Sequence, residues 1–167
     1  MKPLYVHHGR AFSISFNLVK PRPCFRDLVY TDGSKKNFAI GAGIYYPYMN
    51  MKWGYGGFYP DKSSVRAELV AISIALRLFP FKDIAILTDS ASSLDLIISI
   101  FENKEMFTLH SHGNVLVDIH DSIMWRHACC LSTKFFKVKA HSGEYGNTIA
   151  DTLARNARLE YEKQNCL

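Results

Sequence analysis

Three strand-like segments come before the first helical pattern in this chain, and that order restricts the folds that it can adopt. Leu28–Thr31 is a short apolar and β-branched run that ends at Asp32-Gly33-Ser34, a sequence typical of a turn. Ala39–Tyr46 and Lys52–Tyr59 follow, both with glycine and aromatic residues, and a turn is predicted between them. Short connections of this kind join neighbouring antiparallel strands, so we predict a three-stranded meander.

The hydrophobic period changes after the third strand. Ser63 or Ser64 can cap a helix, and apolar residues then recur at steps of three and four from Leu69 to Phe79, until Pro80 ends the pattern. Further along, we predict a strand at Asp83–Thr88, helices at Ser93–Phe101 and Asn114–Arg126, a strand at Lys134–Lys139, and a helix at Asn147–Tyr161 with Asn147 as its cap. The order β-β-β-α-β-α-α-β-α indicates an α/β fold. Its first helix would make a right-handed crossover between the first and fourth strands, which would then lie side by side and parallel.

Composition places the chain among globular domains. Of its 167 residues, 48% are hydrophobic and 21% are charged, so we expect one domain with a substantial core. No apolar run is long enough to span a bilayer, and the first residues lack the pattern of a secretory signal. The four cysteines form no Cys-x-x-Cys pair, so we expect an intracellular, reducing location and neither a disulfide framework nor a zinc ribbon.

The net charge is concentrated at one end of the chain. Residues 1–36 hold seven Lys or Arg residues and two Asp residues, and so account for the whole formal net charge of +5. We predict that residues 1–27 form an irregular, flexible basic arm, since its prolines oppose a long helix, and that a folded domain at 28–162 and a tail at 163–167 follow. A basic arm beside a neutral domain suits a polyanion such as nucleic acid, although a solvated leader would show the same charge.

Four acidic residues occupy positions from which they can meet at one edge of the sheet. Asp32 and Asp89 are each predicted just past the end of a strand, and Glu68 and Asp151 in the first turn of a helix. Close carboxylates repel one another, and a hard divalent cation such as Mg²⁺ or Mn²⁺ removes the conflict. Two such ions about 4 Å apart can hold the attacking and leaving oxygens of a phosphoryl displacement. Taken singly, each acid is more typical of a turn or a helix N-terminus, so the metal hypothesis depends on the set of four.

Five short motifs follow one another along the chain. They are Tyr30-Thr31-Asp32-Gly33-Ser34, Arg66-Ala67-Glu68-Leu69, Leu87-Thr88-Asp89-Ser90, Ala140-His141-Ser142-Gly143, and Gly146-Asn147 with Ala150-Asp151. Together they resemble ribonuclease H of type 1, over about residues 28–160, and His141, Asn147 and Asp151 keep that family's steps of six and four. The short core looks closest to the ribonuclease H domains of non-LTR retrotransposons.

The resemblance implies a fold and a reaction. The domain at 28–162 would be catalytic and would have the ribonuclease H-like fold, a five-stranded mixed sheet with three antiparallel and two parallel strands, flanked by helices. Its activity would be endonucleolytic hydrolysis of the RNA strand of RNA–DNA hybrids, with Mg²⁺ as the cofactor and Mn²⁺ as a substitute. We expect a monomer that binds the hybrid and no membrane, and the sequence indicates no particular protein partner.

The resemblance also assigns roles by position. Asp32, Glu68, Asp89 and Asp151 would be the catalytic acids that bind metal, and His141 would be a mobile histidine that assists catalysis and product release. Substrate contacts are expected from small polar groups near these acids, namely Gly33, Ser34, Ser63, Ser64 and Asn147.

The two residues before Arg66 depart from the family pattern. Cellular members commonly have Asn-Gln there, whose side chains reach the minor groove of the hybrid, whereas this chain has Ser64 and Val65. Because Val65 has no side-chain donor or acceptor, one alternative is a catalytically idle domain that only binds nucleic acid or a partner protein. A second alternative is a metal nuclease or strand-transfer enzyme that acts on DNA, which His141 and Asn147 disfavour.

Overall fold

The computed structural model describes residues 13–15, 27–61, 63–103, 110–139 and 144–166. In chain order its strands and helices are β1 (Ser13–Ser15), β2 (Leu28–Lys36), β3 (Ala39–Tyr46), β4 (Met51–Phe58), α1 (Val65–Leu78), β5 (Ile84–Thr88), α2 (Ala91–Glu102), α3 (Gly113–Ala128), β6 (Thr133–Lys137) and α4 (Tyr145–Gln164), with a 3₁₀ turn at Pro47–Met49. Within these ranges no helix combines the length and the apolar character needed to cross a membrane.

The strands form one mixed sheet in the order β1-β6-β5-β2-β3-β4. The meander β2-β3-β4 is antiparallel, and β5 lies parallel to both β2 and β6. These five strands confirm the predicted α/β fold, with three antiparallel and two parallel strands. The first and fourth predicted strands, β2 and β5, lie side by side and parallel, as predicted.

A sixth strand adds to the predicted sheet. β1 lies in the segment that we predicted to be irregular, and Ser13–Ser15 pairs in parallel with Lys134–Phe136 of β6. The prediction is wrong at these three residues because β6 presents an open edge whose backbone groups can pair with an extended segment. The rest of the predicted arm, apart from Asp27, lies outside the described residues.

Strand β2 is longer than predicted and has two kinds of partner. It pairs in parallel with β5 only as far as Tyr30, which lies opposite Leu87, but it pairs with antiparallel β3 as far as Lys36. The predicted turn at 32–34 is therefore wrong, and the chain turns instead at Asn37, whose φ is 51°. Local sequence favours a turn there, but the continuous backbone pairing with β3 keeps the segment extended.

Two apolar cores hold the helices against the sheet. Side chains of β2 alternate between its faces, so Val29 belongs to the core formed with α1, α2 and α3, whereas Tyr30 belongs to the core formed with α4. Helix α4 lies very close to the strands: a Cβ on Gly43 would come within 2.1 Å of the carbonyl oxygen of Ala150. The glycines of the predicted meander thus provide the room that α4 needs.

Helix α4 begins two residues before its predicted start. Glu144 is the N-cap residue, and its carbonyl oxygen accepts the first helical hydrogen bond from the amide of Thr148 at 3.1 Å. The assignment of Asn147 as the cap is therefore wrong, and Asp151 lies in the second turn of the helix. The cap preference of asparagine misled the prediction, because this helix starts without any side-chain cap.

Candidate active site

Three carboxylates meet at the edge of the sheet where the parallel pairing ends. Asp32 lies on β2 two residues beyond its last pair with β5, Asp89 directly follows β5, and Glu68 is in the first turn of α1. One oxygen from each of the three lies within 4.8 Å of the others. The sequence predicted that these acids meet at one edge of the sheet, and these three do. Asp32 lies within β2, however, and not just past its end as predicted.

Gly33 allows α1 to bring Glu68 to this edge. A Cβ on Gly33 would lie 2.4 Å from the backbone nitrogen of Glu68 and 2.7 Å from the carbonyl carbon of Ala67. Any side chain here would therefore push the first turn of α1 away from β2. The amide of Gly33 also donates a hydrogen bond of 2.7 Å to Oδ1 of Asp32.

Burial and neighbouring carboxylates raise the pKa values of two of these groups, Asp32 and Glu68. Burial raises the pKa of Asp32 to about 7, and the negative charges of Asp89 and Asp151 contribute in the same direction. Burial, and then the charge of Asp32, raise the pKa of Glu68 well above its usual range. Without a cation, the cluster therefore takes up protons near neutral pH rather than carrying its full negative charge.

The donor set fits a hard divalent cation. All three groups are carboxylates, and Oε2 of Glu68 is buried without a hydrogen-bond partner among the described residues. A buried oxygen of this kind is costly unless something satisfies it, and a cation would do so while neutralising the charge. Asp32, Glu68 and Asp89 are the residues that could hold such an ion.

Asp151 lies beside the cluster rather than within it. Its carboxylate accepts a hydrogen bond of 2.8 Å from Arg155 one turn further along α4, and its side chain is one-third exposed. Its charge nevertheless contributes to the raised pKa of Asp32, which shows that α4 carries it close to β2. The predicted convergence of four acids is thus a group of three, with the fourth beside it.

Asn147 lies against the same cluster. Its Nδ2 donates to Oδ2 of Asp89 at 3.4 Å, and its own Oδ1 is buried without a partner in the described part of the chain. The side chain therefore links the start of α4 to the loop after β5. A buried amide oxygen without a partner is costly, and a hydrogen bond from a substrate or water donor would satisfy it.

The serines predicted to contact substrate have different surroundings. Ser34 accepts a hydrogen bond of 3.0 Å from Nε of the buried Arg158, so its hydroxyl is held by α4. Oγ of Ser63 accepts from the amide of Val65 at 3.3 Å, and Ser64 is exposed at the start of α1. The structure thus leaves Ser64 more accessible than the other two. His141 lies outside the described residues.

Sequence reasoning missed the residues that connect α4 to β2. Tyr30 donates a hydrogen bond of 2.8 Å to Oε1 of Glu144, and Arg158 bonds to Ser34. The only sequence signal for them is the alternation along β2, which places Tyr30, Asp32 and Ser34 on one face. No periodic pattern indicates the partner residues on α4, because these contacts join positions more than 100 residues apart.

Comparisons with known proteins agree with this architecture. The family model described as RNase H matches residues 26–158. RNase H1 from the halophilic archaeon Halobacterium salinarum NRC-1 is similar in structure, with a TM-score of 0.55 and 17% identity over 80% of this chain and 97% of that one. A foamy viral protease-reverse transcriptase, solved in complex with dsDNA, has a TM-score of 0.63 and 19% identity over 81% of this chain and 96% of that one. No curated protein sequence matches the chain. From the extent of the family match, the chain belongs to the RNase H family.

Proposed function

We propose that this protein is a metal-dependent endoribonuclease that hydrolyses the RNA strand of RNA–DNA hybrids by two-metal-ion cleavage. The observation that carries the proposal is the cluster of Asp32, Glu68 and Asp89, whose ligand oxygens lie within 4.8 Å of one another. Membership of the RNase H family supports the reaction type and the substrate. Mg²⁺ is the proposed cofactor, with Mn²⁺ as a substitute, because both prefer oxygen ligands.

Each residue of the cluster has a proposed task. Asp32, Glu68 and Asp89 would hold the cations, and Asp151, beside them on α4, would complete the ligand set. Bound divalent ions would supply Lewis-acid stabilisation to the attacking and leaving oxygens of the phosphodiester. Burial and the negative charge of Asp89, which raise the pKa of Asp32 in the metal-free protein, would be offset by a bound cation, so the site favours a positively charged ligand.

The remaining predicted residues would act on the substrate. His141 would move a proton or release the product, since an imidazole titrates near neutral pH. Asn147, already bonded to Asp89, has a free carbonyl oxygen that could accept a hydrogen bond from a ribose hydroxyl next to the cut. The backbone of Gly33 and the hydroxyls of Ser34, Ser63 and Ser64 are proposed as further contacts along the minor groove.

A cleavage assay on three substrates tests the proposal. Labelled RNA–DNA hybrid, double-stranded RNA and double-stranded DNA are incubated with the protein in Mg²⁺, Mn²⁺ or EDTA. We expect internal cuts in the RNA strand of the hybrid alone, in either metal, and none in EDTA. Hybrid binding without cleavage in both metals would favour the idle domain, and cleavage of DNA would favour the strand-transfer alternative.

A matched pair of variants tests whether the activity depends on the three carboxylates of the cluster. Asp89→Asn removes one ligand charge, whereas Asp95→Asn makes the same change at an exposed position on α2. We expect the first variant to lose cleavage and the second to retain it. Equal activity of the two variants would show that the cluster is not the catalytic centre.

A further inference from the structure

Helix α4 and strand β2 lie side by side with a defined alignment. Tyr30, Asp32 and Ser34 share the face of β2 that α4 covers, since side chains alternate along a strand. The start of α4 rests on Tyr30, because a Cβ on Gly146 would lie 2.3 Å from the ring. The helix then continues along the strand, so that successive turns of α4 face successive residues of this face.

Two hydrogen bonds fix that alignment, one on each side of Asp32. The hydroxyl of Tyr30 donates to Oε1 of Glu144 at 2.8 Å, and Nε of Arg158 donates to Oγ of Ser34 at 3.0 Å. Tyr30 and Ser34 are the neighbours of Asp32 on its own face, two residues before and two residues after it. The catalytic carboxylate therefore lies between the two bonds that hold the helix to the strand.

The Tyr30–Glu144 bond lies at the start of α4, just before the residues of this helix that belong to the candidate active site. Glu144 is the N-cap residue of α4, and Asn147 and Asp151 follow within the first two turns, four residues apart and so on one face of the helix. Asn147 bonds to Asp89, and the charge of Asp151 acts on Asp32. A shift of the helix start would therefore move both side chains relative to the cluster.

We propose that the Tyr30–Glu144 hydrogen bond positions Asp151 relative to Asp32, and that it does so separately from its contribution to packing. The inference rests on the proposed function of the site, and it makes Tyr30 a positioning residue rather than a catalytic one. The ring of Tyr30 is buried against Tyr45 and the start of α4. Phenylalanine would keep those ring contacts and remove only the bond to Glu144, so the two contributions can be separated.

The chain contains a matched control for this substitution. Tyr46 is also buried, and its hydroxyl donates to Oδ1 of Asp27 at 2.6 Å, at the other end of the sheet from the cluster. Tyr30→Phe and Tyr46→Phe thus each remove one tyrosine–carboxylate hydrogen bond from a buried ring. A merely structural role predicts that the two variants behave alike.

Two measurements on the protein without substrate test the proposal. The first is hydrogen–deuterium exchange over the first two turns of α4, where we expect Tyr30→Phe to speed exchange about tenfold and Tyr46→Phe to have no effect. The second is Mn²⁺ binding by calorimetry, where we expect about fivefold weaker binding for Tyr30→Phe alone. In cleavage assays, the same variant should need more Mg²⁺ but regain most of its rate when Mg²⁺ is saturating.

Substitutions of Glu144, the hydrogen-bond partner of Tyr30, provide a further test. Glu144→Gln keeps a carbonyl acceptor for Tyr30 and should bind Mn²⁺ nearly as the unchanged protein does, whereas Glu144→Ala should resemble Tyr30→Phe. Equal effects of Tyr30→Phe and Tyr46→Phe on Mn²⁺ binding would overturn the positioning role. Mn²⁺ binding without hybrid cleavage by the unchanged protein would instead overturn the proposed function. Absence of Mn²⁺ binding by the unchanged protein would overturn both.

Discussion

Ionisation of Asp32 is unfavourable in the metal-free folded protein and favourable when a cation is bound. In the metal-free protein, burial and neighbouring carboxylates raise the pKa of Asp32 to about 7, against an ordinary value of 3.8. Ionising it therefore costs free energy in the folded state but not in the unfolded chain. The same arrangement would favour binding of a divalent ion, because the ion would meet three carboxylate oxygens that lie within 4.8 Å of one another.

The raised pKa of Asp32 predicts that the stability of the metal-free protein falls as the pH rises. Between about pH 4 and pH 7 the folded state binds more protons than the unfolded state, so the free energy of unfolding should fall as the pH rises through that window. In EDTA, urea unfolding should show the unchanged protein losing at least about 1 kcal/mol between pH 5 and pH 8 relative to Asp32→Asn. Parallel pH profiles for the two proteins would contradict this account of the site.

Gly33 provides a second prediction at the scale of one residue. Gly33→Ala places a methyl group within 2.4 Å of the Glu68 backbone nitrogen, so α1 must move away from β2. We expect a loss of about 1–3 kcal/mol in the free energy of unfolding and a large fall in cleavage, because Glu68 leaves the cluster. Gly57→Ala is the control, since the three atoms nearest to its methyl group would all belong to the side chain of Tyr55, at 3.2 Å or more. Similar activities of the two variants would show that the close approach at Gly33 does not matter.

At the scale of elements, hydrophobic period and turn residues predict much of the fold. The strand at Ala39–Tyr46 has the bounds that its pattern predicts, and α1 begins and ends within one or two residues of its serine and proline signals. The errors occur where distant segments decide the local structure. β2 continues through its predicted turn because β3 pairs with it, and α4 starts early because Glu144 provides its first acceptor.

The same limit applies to the site. The motifs identify the acids, but the place of Asp151 depends on where α4 begins and on how β2 holds it. Asp151 shares a hydrogen bond with Arg155, a contact that the i, i+4 spacing allows, yet nothing local shows that it stands apart from the group of three. The position of Asp151 depends on how α4 packs against β2.

A buried arginine joins the elements at the end of the sheet far from the site. Arg126 of α3 is 1% exposed and donates to Oγ1 of Thr133 at 2.9 Å and to the carbonyl oxygens of Phe79 and Lys82. Arg126→Met should lower the free energy of unfolding by about 3 kcal/mol, because it leaves these acceptors unpaired. Urea unfolding measures this loss, and cleavage per folded molecule should stay unchanged.

Arg77 is the control for that variant. It is exposed and pairs with Asp118 on the surface, so Arg77→Met should cost less than about 1 kcal/mol. If both variants lose the same stability, the buried network around Arg126 does not have the role given to it here.

For the whole molecule, the site predicts a link between metal binding and folding. A cation that binds only the folded state stabilises it by about 1.4 kcal/mol at ten times its dissociation constant, or roughly 4 °C in Tm for a domain of this size. Thermal unfolding should show this rise with Mg²⁺ for the unchanged protein. Asp89→Asn should be at least as stable without metal and should not respond to Mg²⁺, while Asp95→Asn should respond normally.

The role of the three carboxylates in catalysis is tested by the single-turnover rate of RNA-strand cleavage in a hybrid, with saturating Mg²⁺, for the unchanged protein and for Asp89→Asn. We expect RNA products with 3′-hydroxyl and 5′-phosphate ends from the unchanged protein, and a rate at least about a thousandfold lower for the variant, since one charged ligand of the cluster is lost. Cleavage by Asp89→Asn at an undiminished rate, in protein shown to be folded, would contradict the claim that these carboxylates are the catalytic centre.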